Sequence, residues 1–199
     1  MKYFKILNDN MSQHGFTYHE GLNTDVNEFN KVHIDAEHFF NAGLFFCNAE
    51  NILSYADYGT LLAEVELPEG EYVTPGNGPT EYKAHSIILK NIRPLWKLET
   101  FQYLVREGAK IHIDDDWALC VASENGCFDI VRFLVENNAN IEMLPNAVQC
   151  AAIHGHLDII KYLIKNGANI CANKDQILWA SKMNNQQEVV KYLLKYGIN

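Results

Sequence analysis

Phe101-Gln-Tyr-Leu-Val-Arg-Glu-Gly-Ala-Lys-Ile111 returns as Val131-Arg-Phe-Leu-Val-Glu-Asn-Asn-Ala-Asn-Ile141 and as Ile160-Lys-Tyr-Leu-Ile-Lys-Asn-Gly-Ala-Asn-Ile170. It returns a last time as Val190-Lys-Tyr-Leu-Leu-Lys-Tyr-Gly-Ile-Asn199. The aromatic markers Tyr103, Phe133, Tyr162 and Tyr192 stand 30, 29 and 30 residues apart. A fixed period of this size predicts a solenoid, because one helical pair cannot bury its apolar face alone and must stack on its neighbours.

The grammar of one unit is clearest from Asn146 to Ile170. Ala147 to His154 reads as a first helix whose small residues Ala147, Ala151 and Ala152 let the next helix approach closely. Gly155-His156 breaks it, the glycine supplying backbone freedom for a tight turn. Leu157 to Lys165 reads as a second helix with Ile159, Ile160, Leu163 and Ile164 on one face at helical period. Gly167 suits the left-handed position just past a helix end. The preceding unit repeats the plan with Ala118–Asn125, Gly126 and Asp129–Val135. The last unit, Ile177–Met183 and Glu188–Leu194, carries one extra residue at its turn, where Asn184-Asn185 replaces glycine; Asn also visits positive φ. In the first unit only the second helix, near Leu98 to Val105, is legible. Arg93-Pro94 resists helix continuation and marks the expected junction between residues 1–93 and 94–199.

These residues resemble the ankyrin repeat. The frame Ala-Ala-x-x-Gly-His-x-Asp-Ile-x-x-x-Leu-x-x-x-Gly-Ala-Asn runs from Ala151 to Asn169. The usual Thr-Pro-Leu-His opening is missing; Asp116-Trp117-Ala118-Leu119 and Pro145-Asn146-Ala147-Val148 stand there instead. The period is also shorter than the usual 33 residues or so. Both departures point to a trimmed hairpin between repeats, as in the ankyrin proteins of giant DNA viruses.

Residues 1–93 do not repeat. Gly43–Cys47 reads as a buried strand and Asn48 as the cap of a short helix from Ala49 to Tyr55. Leu61–Leu67 and Tyr82–Leu89 read as strands, Tyr72–Thr74 as a further extended piece, and Pro75-Gly-Asn-Gly-Pro79 as a loop. The expected architecture is an α+β N-terminal domain followed by an all-α ankyrin-repeat solenoid with about three repeats and a partial first unit. Phe16–Asn23, Ala42–Phe46, Tyr55–Gly59, Leu62–Leu67 and Ile92–Leu95 look like the module ahead of the repeats in the same viral proteins, which implies no activity.

At 48% hydrophobic and 21% charged the chain is ordinary folded protein. Its net charge of −9 is uneven: residues 1–94 hold 6 Lys/Arg against 13 Asp/Glu, residues 95–199 hold 10 against 12. Neither half has the basic stripe that nucleic acid or anionic membrane requires. No apolar run approaches the ~20 residues of a membrane span. The N-terminus lacks the apolar core of a signal peptide. Cys47, Cys120, Cys127, Cys150 and Cys171 are odd in number and include no C-x-x-C pair. They read as reduced thiols in a cytoplasm, the host's if the chain is viral. No segment follows the last helix, so the ligase-recruiting tail of many viral ankyrin proteins is not expected.

Three clusters invite chemistry. His33-Ile-Asp-Ala-Glu-His38 is densest in polar groups, but histidines five apart on a helix face nearly opposite ways, so it reads as a solvated loop rather than a metal site. His14, His19 and Glu20, with His38 and Glu64, would need a shared pocket to make the N-terminal domain an enzyme; no nucleophile motif or phosphate loop accompanies them. His156 reads as a turn histidine. No catalytic residue, metal or cofactor is therefore expected.

The ankyrin resemblance implies a non-catalytic binding protein whose first helices line an open inner face. That face is expected to present Asp114, Asp115, Asp116, Trp117, Glu124, Asn125, Asn146, Gln149, Ile153, His154, Lys182 and Met183 to another protein. Trp179, between Leu178 and Ala180, is expected in the core. Enzyme activity in the N-terminal domain and a structural role in an assembly are the alternatives. The partner's identity and the oligomeric state lie beyond the residues.

Overall fold

The computed structural model describes residues 2–13, 15–25, 43–76, 80–171 and 173–195. The His33–His38 cluster, His14 and the end of the Pro75–Pro79 loop lie outside the described residues. Contacts divide the chain into two units: Met1–Leu95 with Gln102–Lys110, and Trp96–Phe101 with Ile111–Asn199. Among the described residues the N-terminal region is strand-rich with a short helical segment, and helices lie within residues 98–195.

The first unit is built on an antiparallel sheet. Its strands are β1 (Tyr3–Leu7), β4 (Gly21–Thr24), β5 (Leu44–Asn48), β6 (Leu61–Glu66), β7 (Thr74–Pro75), β8 (Glu81–Ala84) and β9 (Ser86–Pro94), in the order β4-β9-β6-β1-β5-β8-β7. Ser12–Gln13 and Phe16–Thr17 form a separate hairpin, β2 and β3. β1 lies centrally and is almost wholly buried, which fits its apolar residues Tyr3, Phe4, Ile6 and Leu7 on either side of Lys5. It pairs with β6 through Phe4↔Glu64 and Ile6↔Leu62, and with β5 through Phe4↔Cys47.

One sheet face carries Leu7, Leu44, Phe46, Ala63, Val65, Ala84, Ile87 and Leu89, with Tyr18 packed on it. On the other side of β1 lies the segment Ala49–Tyr58, which buries Ile52, Leu53 and Ala56. The expected helix there is 3₁₀, bent at Tyr55, and Asn48 caps it as predicted by accepting from Asn51 N at 3.1 Å. Tyr82–Leu89 is not one strand but two. β8 pairs with β5 and β7, whereas β9 pairs with β4 and β6.

Lys5 is sunk in the apolar face opposite Ala63. Its Nζ donates to Phe45 O at 2.7 Å and lies 4.5 Å from the centre of the Tyr18 ring. Burial pulls its pKa down to about 7. Burial likewise pushes the Cys47 thiol up to about 12.

The helices are α1 (Leu98–Arg106), α2 (Ile113–Glu124), α3 (Phe128–Glu136), α4 (Leu144–His154), α5 (Leu157–Lys165), α6 (Lys174–Met183) and α7 (Gln187–Lys195). α1 is the lone helix of the partial first unit. The first helices α2, α4 and α6 pack side by side, and the second helices α3 and α5 do the same. Ala118, Ala122 and Ser123, then Ala147, Ala151 and Ala152, then Ala180 and Ser181 are buried in the first-helix layer. Their small size permits that close approach.

The turns work as the repeat grammar predicts. Gly126, Gly155 and Asn185 all have positive φ. A Cβ on Gly126 would lie 2.6 Å from the His156 ring, whose Nε2 is 3.0 Å from Glu124 O. One repeat later Gln186 takes the same place, donating from Nε2 to Ile153 O at 3.1 Å. The second and third turns are thus each latched to the one before.

Candidate functional site

The first helices alternate between two duties. Small and aliphatic residues face the stack, and the remaining stripe of each helix faces solvent. On α6 the buried residues are Ile177, Leu178, Ala180 and Ser181, and the exposed ones are Asp175, Gln176, Trp179, Lys182 and Met183. Steps of about 100° per residue put Trp179 and Met183 one turn apart on the open side. They are 65% and 63% exposed. This corrects the expectation that Trp179 is core: Leu178 and Ala180 occupy the buried directions, so the residue between them points away.

On α4, Asn146 and His154 are exposed, and Gln149 and Ile153 are half-buried. His154 stacks on His156 with ring centres 6.3 Å apart, and its Nε2 lies 4.0 Å from Glu124 Oε1. On α2, Trp117, Glu124 and Asn125 are exposed, although the amide of Asn125 donates to Val121 O at 2.8 Å. Eleven of the twelve expected surface residues are thus at least partly open to solvent.

Asp116 is the exception, and its placement on the open face is corrected. It is 2% exposed. One carboxylate oxygen meets His112 Nδ1 at 2.5 Å, and the other accepts from Asn140 N at 2.7 Å. Asp114, Asp115 and Asp116 all adopt left-handed backbone angles, φ 51, 54 and 61°. Such a run costs roughly 1–2 kcal/mol per residue, so the buried Asp116 bonds anchor a turn that Asp114 and Asp115 only continue into solvent. Sequence reading missed this because a triple aspartate looks like a solvated loop.

Two of the described residues weighed for chemistry in the first unit, His19 and Glu64, are otherwise engaged. His19 is exposed, and its Nδ1 is 2.9 Å from Glu20 O. Glu64 accepts from Tyr103 Oη at 2.7 Å and from Asn91 Nδ2 at 3.1 Å, and it pairs with Arg93. Burial opposes its charge, but these hydrogen bonds and the charges of Arg93 and Lys2 outweigh it and hold the carboxyl below its usual value. Arg93 also lies over the Tyr103 ring at 4.5 Å. Lys2 reaches Glu107 at 2.7 Å. This network ties Gln102–Lys110 to the sheet. It is a structural joint, with the carboxylate consumed by its partners. Among the described residues no group of three or more His, Cys, Asp or Glu side chains is placed to hold a metal ion, and no helix is long and apolar enough to cross a membrane.

Two family models coincide with the stacked helices. The model for many copies of the ankyrin repeat matches residues 119–164, and that for three copies matches residues 144–199. An ankyrin repeat protein of Acanthamoeba polyphaga mimivirus is 34% identical over 142 residues, 69% of this chain and 68% of the relative. This chain is an ankyrin-repeat protein. A second relative, an uncharacterized protein of the same virus, is 36% identical over 136 residues, 67% of this chain and 96% of its own. A third, another mimivirus ankyrin repeat protein, is 33% identical over 146 residues, 72% of this chain but 43% of the relative. This chain therefore spans less than half the length of that third protein. The giant-virus resemblance of the ankyrin frame is borne out. No solved structure matches the chain. Ankyrin repeats imply a protein-interaction module.

Proposed function

We propose that the open stripe of α2, α4 and α6 binds another protein, a host protein in the cytoplasm of an infected cell. Trp179 and Met183 carry the proposal. Two large apolar side chains left more than half exposed on a helix whose other face is fully packed are what a buried interface anchor looks like before its partner arrives. Asp114, Asp115 and Glu124 add exposed negative charge toward the first end of the stripe. Exposed carboxylates disfavour nucleic acid and anionic membrane and favour a partner segment with basic residues.

Proximity labelling in infected or expressing cells would name the candidates. Reversing the charge at Asp115 and Glu124 then tests the surface. The double variant should capture the partner several-fold more weakly and melt at the same temperature as the parent, because both carboxylates are exposed. Undiminished capture removes the acidic end from the interface.

A further inference from the structure

Equivalent positions of the repeats are not equally covered. Counted back from the turn residues Gly126, Gly155 and Asn185, Asp116, Cys120 and Ser123 of α2 correspond to Pro145, Gln149 and Ala152 of α4 and to Asp175, Trp179 and Lys182 of α6. In α2 all three are buried, at 2%, 5% and 0% exposure. In α4 Ala152 is buried, and Pro145 and Gln149 are half-buried. In α6 all three are exposed. The second helices show the same gradient. Val131 of α3 and Ile160 of α5 are buried, whereas the matching Val190 of α7 is half-buried. Leu194 is 44% exposed, and its counterparts Val135 and Ile164 are half-buried. This strip is the side on which one repeat receives the next, and among the described residues nothing covers it on the last repeat.

Its residues are unlike those that receive a repeat. Ser123 and Ala152 are small and let the neighbouring helix come close, whereas Lys182 and Trp179 are too large for that approach. They are arranged instead about a centre. At steps of about 100° per residue, Asp175 and Lys182 lie on one side of α6, about one turn before and one turn after Trp179. Val190 and Leu194 stand one turn apart on α7. Trp179 lies six residues before Asn185, and the midpoint of Val190 and Leu194 lies seven after it. Both centres are therefore at nearly the same height on the antiparallel pair, and one two-fold axis can pass through both.

We propose that this end face binds a second copy of the chain, α6 lying antiparallel on the partner's α6 and α7 on the partner's α7. Rotation about that axis keeps each helix opposite its own copy and reverses its direction, as a closed dimer requires. The two tryptophans meet at the centre of the α6 contact, where interfaces favour that residue. Val190 meets the partner's Leu194, and Asp175 meets the partner's Lys182, each twice over. The face is thus its own complement in shape and in charge, which is what selects a second copy as the occupant. A contact two helices wide is small for a permanent interface, so the dimer forms as concentration rises. Trp179 also borders the open stripe, so self-association competes with capture of another protein, but it does not depend on that capture.

Sedimentation equilibrium of the full chain in low salt, over rising concentration, tests the proposal. The mass should climb from one chain to two and stop there. Lys182→Asp sets carboxylates against each other at both ends of the α6 contact, and Asp175→Lys does the same with ammonium groups. Each should weaken dimerisation about tenfold or more, because like charges face each other twice. Mixed in equal amounts, the two variants regain both opposite-charge pairs and should form a one-to-one dimer. Trp179→Ala should leave the chain monomeric. All three positions are exposed, so circular dichroism of each variant should match the parent. A chain that stays monomeric at every concentration overturns the proposal, as does growth beyond two chains. So does a mixture of the charge variants that pairs no better than either alone. No second protein is present, so these outcomes are read independently of partner capture.

Discussion

The two units hold themselves together over different distances along the chain, and that difference governs how each responds to damage. In the helical unit a turn touches the turn one repeat away: His156 meets Glu124, and Gln186 meets Ile153. In the sheet unit β1 pairs with β6 some sixty residues on, and Gly21 pairs with Leu89. Near-neighbour coupling lets a repeat array yield locally. A sheet built from distant partners has no small piece that can be lost alone.

Paired core truncations would break that comparison most forcefully. Phe4 and Leu163 are both fully buried. Phe4→Ala should cost about 3–5 kcal/mol and Leu163→Ala about 2–5 kcal/mol. Hydrogen exchange should show the first loss spread over every strand of the sheet and the second concentrated in α4 to α7. Equal spreading in both units would erase the distinction.

A smaller effect separates the units by pH. Free lysine titrates near 10.4, and Lys5 in the fold near 7, so between these values the unfolded chain binds more protons. The sheet unit should gain stability as pH rises from 7 toward 8.5, before ionisation of the unfolded Cys47 thiol works in the opposite direction. Lys5→Met removes that gain. The stability difference, variant minus parent, should fall across this window, as read from urea midpoints at β1. A difference that holds constant or grows would contradict the buried charge.

A weaker perturbation probes the latches. His156→Ala removes one hydrogen bond between turns and should cost about 1 kcal/mol. Gln186→Ala removes the equivalent bond to Ile153 O and should cost a similar amount. Chemical denaturation of the two variants checks both values.

The same contrast explains what could be read from the residues alone. The repeat period, the glycines of the turns, the substitute Asn185 and the role of His156 were all legible, because each expresses a local rule. β1 was not, because Tyr3–Leu7 acquires its meaning only from partners far along the chain. Tyr82–Leu89 looked like one strand because the different partners of β8 (β5 and β7) and of β9 (β4 and β6) cannot be seen in the run itself. Trp179 was misplaced by attention to its neighbours in sequence rather than to its angle on the helix. Asp116 was misplaced because its acceptors' partners, His112 and Asn140, lie in two different turns.

The central claim is that the first-helix stripe, and not the outer surface of the second helices, meets the partner. Once proximity labelling has supplied a partner, two variants of the full chain should be compared for capture and for melting temperature. Trp179→Ala with Met183→Ala removes the apolar anchor. Glu136→Lys with Lys165→Glu alters exposed positions on α3 and α5. The account predicts that the first variant loses capture at least tenfold with little change in melting, while the second binds like the parent. Loss of capture by the second variant, with the first unimpaired, would contradict it.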